Sequence, residues 1–287
     1  MSLLEKLELS QDEFIKIRDF IYEKSGMFFA DSKKYLVEDR ILRRMEEIKI
    51  EKFENYYYFI KYDPGKEQEL VKLFDEVTTN ETYFYRNLPQ IEALQEIILP
   101  EIIEQKKKMG IKTLKLWSAA CSSGEEPFTM AMVLDELLGP TLKTWNIQII
   151  GTDISNAILE KAAEALYNKN SLRSLPEDKL PKYFDELPDG NYKIKDHIKK
   201  MVEFQNVNLI DRMKMRMIRD FDVIFCRNVL IYFDVESKKQ VISSLYNSLS
   251  ANSYLFIGHS ESLHGISTAF KLVHLKNAMV YKKEKIS

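Results

Sequence analysis

From residue 114 onward, short apolar runs of strand length alternate with helix-period segments, and that alternation leaves few architectures open to this chain. The strand candidates are 114–120, 147–152, 202–206, 223–226 and 254–257, most of them followed by an amphipathic helical pattern. Strands joined by helices pair in parallel, so the expectation is an α/β fold with a parallel sheet covered on both faces. Two last runs, 271–274 and 278–281, flank Leu275-Lys276-Asn277 and predict a terminal antiparallel hairpin. Pro176, Pro181, Pro188 and the turn Asp189-Gly190-Asn191 break the alternation between about 171 and 199, where a small inserted β-subdomain is expected.

The stretch before residue 78 has a different period. Ser10-Gln11-Asp12-Glu13 reads as a capping box that starts a helix with Phe14, Ile17, Phe20 and Ile21 on one face and Gly26 as its stop. A second helix is expected over about 31–48, with Leu36, Val37, Ile41, Met45 and Ile48 inward and Lys33, Lys34, Arg40, Arg43 and Arg44 largely outward. Further helical patterns cover 53–62 and 67–77, and another covers about 90–108 after the polar segment 78–82. The predicted division is an all-helical domain at 1–77 and an α/β domain at 78–287.

A formal net charge of -2 gives no global basic field, so nucleic acid is not an expected partner. No run reaches the roughly 18 apolar residues of a membrane span. Acidic residues interrupt the apolar start, and no small-residue cleavage site follows it. Direct membrane insertion is therefore not expected, and a cytoplasmic monomer is. Cys121 and Cys226 lack metal-ligand spacing, so the pattern points to buried thiols and to no metal.

The residues that carry chemistry begin where the first strand ends. Trp117-Ser118-Ala119-Ala120 runs into Cys121-Ser122-Ser123-Gly124-Glu125-Glu126-Pro127 and then a helix expected over 128–138. Small side chains let a ligand approach the backbone, but the glycine pattern of dinucleotide sites is absent. Glu125 and Glu126 would repel a pyrophosphate and attract an ammonium, which S-adenosylmethionine carries. The plainer reading of either glutamate is a charge at the start of the next helix. Asp153, after the second strand, is placed to accept from ribose hydroxyls or to act as a helix N-terminal charge.

The segments Thr78 through Arg86, Trp117 through Pro127, Gly151-Thr152-Asp153-Ile154, Phe221 through Phe233 and Gly258-His259-Ser260-Glu261-Ser262 together resemble the CheR-type chemotaxis receptor glutamate methyltransferases. The resemblance covers nearly the whole chain. It implies a Rossmann-like S-adenosylmethionine-dependent methyltransferase sheet with a terminal hairpin and a β insertion, preceded by the helical domain. It also implies cofactor contacts at Asn80, Thr82, Arg86, Glu125 or Glu126, Asp153, Asn208, Leu209, Asn228 and Val229. Tyr83 and Tyr85 depart from the more uniform phenylalanine of related sequences. The insertion offers no matched motif for docking a receptor tail.

The implied reaction esterifies glutamate side chains of methyl-accepting chemotaxis receptors and releases S-adenosylhomocysteine. A glutamate of ordinary pKa, about 4.3, is already ionised at neutral pH, so a general base is unnecessary. Arg86 and Tyr232 are the catalytic candidates, as groups able to fix a carboxylate near the ligand-binding sheet edge. Arg227 and His259 also lie near strand ends and receive no catalytic role. Lys33, Arg40, Arg43 and Arg44 form a candidate docking face for acidic receptor helices, against the plainer reading of a solvated face balanced by Glu38, Asp39, Glu46 and Glu47. The competing function is a sensor or scaffold domain that binds S-adenosylmethionine without turnover.

Overall fold

The computed structural model describes residues 7–285, so the first six residues of the segment read against a leader lie outside the described residues. Four helices open the chain: α1 (Gln11–Ser25), α2 (Lys34–Glu47), α3 (Phe53–Tyr62) and α4 (Lys66–Val77). The Ser10 hydroxyl accepts from the Glu13 N–H at 3.3 Å while the Glu13 carboxylate accepts from the Ser10 N–H at 3.0 Å, closing the expected capping box. Gly26 ends α1 at φ 73°, the left-handed conformation that glycine takes without strain. Phe14, Ile17, Ile21, Val37, Ile41, Met45, Tyr56 and Leu73 are fully buried between these helices and form a core of their own.

The predicted helix at 90–108 is a composite. α5 (Leu88–Ala93) and α6 (Leu99–Lys108) are joined by a π-helical turn, Leu94–Ile98. Pro100 supplies no N–H for the carbonyl of Glu96, and the wider turn absorbs the mismatch that a regular helix would meet there.

The rest of the chain alternates as expected. In order come β1 (Thr113–Ala119), α7 (Glu125–Leu138), β2 (Asn146–Asp153), α8 (Asn156–Glu164), β3 (Leu166–Tyr167), α9 (Lys179–Tyr183), β4 (Phe184–Glu186), β5 (Tyr192–Ile194), α10 (Asp196–Lys199) and β6 (Val202–Asn206). Then follow α11 (Arg212–Met217), β7 (Phe221–Cys226), α12 (Val235–Ser248), β8 (Leu249–Ile257), β9 (Lys271–His274) and β10 (Met279–Lys283). The large sheet has the order β6-β2-β1-β7-β8-β10-β9, with the first five strands parallel and the terminal hairpin antiparallel.

β3, β5 and β4 form a separate antiparallel sheet. Its first strand precedes the expected start of the insertion, because two residues are too few to show a period of two. Tyr167, Tyr183, Phe184 and Ile194 anchor this sheet in the main core, where Phe84 packs edge-on against Tyr167 and Phe184 with ring centroids 4.8 and 5.1 Å apart. The Tyr83–Tyr85 departure is accommodated: Tyr85 is buried, and Tyr83 lies under the Arg173 guanidinium at 3.7 Å.

Sequence order reverses direction at β1, which lies between β2 and β7. That switch opens a crevice at the carboxyl ends of the strands, where open α/β sheets bind ligands.

Candidate cofactor and active site

The turn after β1 is built from backbone conformations few side chains tolerate. Ala120, Ser122 and Gly124 have φ of 61, 51 and 91°, folding the chain tightly between β1 and α7. A Cβ on Gly124 would lie 3.0 Å from both the Ala162 Cβ and the Phe204 ring, so strain and crowding act together there. Gly124→Ala is expected to lower the unfolding free energy by about 1–3 kcal/mol, read as a shift of the urea midpoint at constant slope.

α7 starts at Glu125, three residues before the position expected from sequence. Glu125 and Glu126 thus stand in its first turn, where the helix dipole favours negative charge, and Pro127 follows where no intrahelical N–H is needed. Their side chains part. Glu126 lines the crevice, with Oε1 accepting from the Ser118 hydroxyl at 2.6 Å and Oε2 from Arg227 at 2.7 Å.

Glu125 turns away to the Ser123 and Ser171 hydroxyls at 2.7 and 3.0 Å and does not line the crevice. Burial raises its pKa despite those donors. Of the two candidate glutamates, Glu126 is therefore the one in position, and Glu125 is corrected to a contact with the segment after β3. The expected attraction for an ammonium is also weaker than two free carboxylates would give, because Arg227 neutralises Glu126.

Asp153 ends β2 at the crevice wall. It accepts from the Ser122 N–H at 2.9 Å and the Ser155 N–H at 3.1 Å, so it ties the two strand ends together. Burial raises its pKa, and the backbone donors oppose that rise. Its carboxylate thus accepts from the N–H of Ser155, the N-cap of α8, and also lines the crevice.

The far wall comes from 78–82 and from the loops after β6 and β7. Asn80, Thr82, Arg86, Asn208, Leu209, Asn228, Val229 and Tyr232 all line the same crevice as Glu126 and Asp153. Every predicted cofactor or catalytic residue except Glu125 is thus brought to one cavity. The Asn80 carbonyl accepts from the Ser122 hydroxyl, joining the polar segment to the β1 turn. Arg86 donates to the Glu81 carbonyl at 2.7 Å, lies over the Tyr83 ring and lines the cavity. Asn208 donates to the Lys24 carbonyl at 2.7 Å, and the Tyr232 carbonyl accepts from Phe28 at 2.8 Å, so both cavity residues are also seams to the helical domain.

Arg227, given no role from sequence, is the hub of this wall. Nearly buried, it donates to Glu126, to the Arg86 carbonyl at 2.8 Å and to the Gln90 side chain at 2.8 Å. Its sequence signal was a place near a strand end within the Phe221–Phe233 motif; three acceptors from three separate segments are not visible in a linear pattern. Glu261 was quoted only as part of a motif. Its carboxylate accepts from the Asn228 N–H at 2.9 Å and the Gly258 N–H at 2.6 Å, holding Asn228 in its left-handed conformation.

The basic face of α2 is less uniform than its sequence. Lys33 and Arg43 are exposed, Arg43 pairing with Asp39 and Glu76. Arg40 is half-buried and donates to the Val77 carbonyl and the Thr79 hydroxyl, and burial lowers its pKa, with Arg43 adding to the effect. Arg44 is 4% exposed and grips Glu69 at 2.8 and 3.0 Å, with Glu69 also accepting from Tyr56 at 2.8 Å. Arg44 is corrected from a docking residue to a core one: helical periodicity puts 44 near the edge of the inward stripe, and Glu69 supplies the partner that makes burial tolerable.

The cavity's chemistry fits S-adenosylmethionine better than a dinucleotide. The helix start that would cradle a pyrophosphate carries two carboxylates, whereas Asp153 and the amide side chains of Asn80 and Asn228 offer acceptors and donors for hydroxyls and an amino acid group. Fold and cavity together define a Rossmann-like S-adenosylmethionine-dependent methyltransferase.

Comparison with known proteins narrows the class. The model described as CheR methyltransferase, SAM binding domain, matches residues 80–279, and that described as CheR methyltransferase, all-alpha domain, matches 12–78. Chemotaxis protein methyltransferase 2 of Vibrio cholerae is 36% identical over 280 residues, covering 98% of this chain and 96% of the relative. A chemotaxis protein methyltransferase of Borreliella burgdorferi is 35% identical over 90% of this chain and 91% of its own, and one from Pseudomonas aeruginosa is 34% identical over 94% and 97%. The chain belongs to the CheR methyltransferase family. Among the described residues no helix is long and apolar enough to cross a membrane.

Proposed function

We propose that this protein transfers a methyl group from S-adenosylmethionine to glutamate side-chain carboxylates on the cytoplasmic helices of chemotaxis receptors, giving methyl esters and S-adenosylhomocysteine. The observation that carries this reading is a cavity at the sheet's switch point that collects the motif residues yet holds no free general base. Its carboxylates, Glu126 and Asp153, are engaged by Arg227 and by backbone N–H groups, and no histidine lines it. An oxygen nucleophile that arrives already ionised suits such a site.

When bound, S-adenosylmethionine supplies an electrophilic methyl carbon on a sulfonium. The chain's part is to position and to exclude water. Asp153 and Glu126 would hold the cofactor's polar groups, Asn80, Thr82, Asn208, Leu209, Asn228 and Val229 would frame it, and Arg86 and Tyr232 would orient the incoming carboxylate toward the methyl carbon. Removing either orienting group is expected to slow turnover. Arg86→Ala and Tyr232→Phe each lose a hydrogen bond to a charged group, worth about 1.5–3 kcal/mol, so kcat should fall by about tenfold to a hundredfold with an unchanged unfolding midpoint. Rates unchanged from wild type in a receptor methylation assay would remove these residues from the mechanism.

Lys33, at the start of α2, and Arg40 and Arg43 on it form the receptor-facing side in this reading, in a protein working in the cytoplasm as a monomer with a helical domain at 1–77 and a catalytic domain at 78–287. Arg43→Glu is expected to slow receptor methylation severalfold, more so at low salt, with S-adenosylhomocysteine affinity intact. A parallel loss of both would mean damage to the fold instead. The direct test supplies methyl-labelled S-adenosylmethionine and receptor-rich membranes. Base-labile label on the receptor band is expected; tight cofactor binding with no transfer to any receptor would leave a sensor domain.

A further inference from the structure

α11 and α12, with Arg219 just beyond α11, enclose a groove that shares no lining residue with the cofactor cavity. Arg212, Arg216 and Arg219 project from one wall, and Ser243, Ser244 and Asn247 line the other. No carboxylate lines it. Asp211, the nearest acid before it in sequence, accepts instead from the Met213 and Lys214 N–H groups as the cap of α11.

The three arginines differ from the others in the chain. Arg18, Arg43, Arg44, Arg173 and Arg227 each hold a carboxylate, and Arg40 and Arg86 hold backbone carbonyls beside the cofactor cavity. Within the groove the bonds are few: Arg212 donates to the Gln240 side chain at 3.2 Å, and Arg219 donates to the Arg216 carbonyl at 2.7 Å. Among the described residues none of the three forms a salt bridge, although Asp220 follows Arg219 and Glu236 lies near Arg212, and in a protein whose net charge is -2 general basicity does not account for the cluster.

We propose that this groove binds a phosphoryl group. Guanidinium forks and hydroxyl donors converge from two walls, more than the two oxygens of a carboxylate can use, whereas a phosphoryl group presents oxygens in several directions and carries enough charge to offset the repulsion. The group can reach the groove on a soluble molecule or on a lipid headgroup. Met213 and Met217, four residues apart on α11 and 80% and 85% exposed, give the lipid source an apolar contact beside the arginines.

The test uses the full chain saturated with S-adenosylhomocysteine, so that the cofactor cavity is filled and the outcome is independent of methyl transfer. Inorganic pyrophosphate is titrated calorimetrically at low salt, and phosphatidylglycerol vesicles are tested by cosedimentation. Saturable one-site binding of pyrophosphate, weakened about tenfold or more in Arg216→Gln/Arg219→Gln, would establish a soluble ligand. Vesicle binding without pyrophosphate binding, lost in that variant and in Met213→Ser/Met217→Ser, would establish the lipid source. All substituted side chains are exposed, so an unchanged unfolding midpoint is expected. Neither probe binding the wild type, or binding undiminished in the arginine variant, would overturn the proposal.

Discussion

Arg227→Ala is expected to destabilise the protein by about 3–5 kcal/mol and to abolish measurable S-adenosylhomocysteine binding, the first by denaturant unfolding and the second by calorimetry. The cause is what the substitution leaves behind. Glu126 would keep a largely buried carboxylate with only the Ser118 hydroxyl, and the Arg86 carbonyl and Gln90 side chain would lose their shared donor. Much of the loss is thus the cost of an orphaned charge, and adding Glu126→Gln should recover part of the stability without restoring cofactor affinity. Arg227→Lys keeps the charge but not the fork that reaches three acceptors, and should fall between. A stable, cofactor-binding Arg227→Ala protein would mean that the wall is organised by something else.

A comparable loss of stability is expected in the helical layer. Arg44→Ala strands Glu69, itself 4% exposed, with the Tyr56 hydroxyl as its remaining side-chain donor, and should cost about 3–5 kcal/mol. Arg44→Met/Glu69→Leu, which removes both charges and keeps apolar volume, should restore most of it. The contrast with Arg43→Glu separates core from surface one residue apart: Arg43 substitution should change receptor methylation and leave stability alone. If Arg44→Ala slowed receptor methylation at unchanged stability, Arg44 would return to the docking face.

These two arginines mark where linear reading stops. The alternation after residue 113, the capping box at Ser10 and the terminal hairpin were legible because each is a local pattern with its own physical cause. The cavity was legible through motifs, which placed Asp153, Asn80, Asn228 and Tyr232 together. Glu125 and Glu126 were not separable, since adjacent residues at a helix start point different ways only once α7 has been set against β1 and the segment after β3. Arg44 read as exposed because its partner lies 25 residues away on α4, and Arg227 read as neutral because its acceptors lie 101, 137 and 141 residues away. Burial of charge is decided by such distant partners. β3 escaped for the opposite reason, being too short to carry a pattern.

The central claim is that this cavity esterifies receptor glutamates, and peptide mapping by mass spectrometry tests it most directly. A receptor cytoplasmic fragment is incubated with S-adenosylmethionine and either the wild-type protein or Arg86→Ala, then digested and mapped before and after mild base. The expected result is a methyl group on glutamate side chains of the receptor helices, removed by base and strongly reduced with the variant. Methylation confined to nitrogen or surviving base, or glutamate esters formed equally by the variant, would contradict the account.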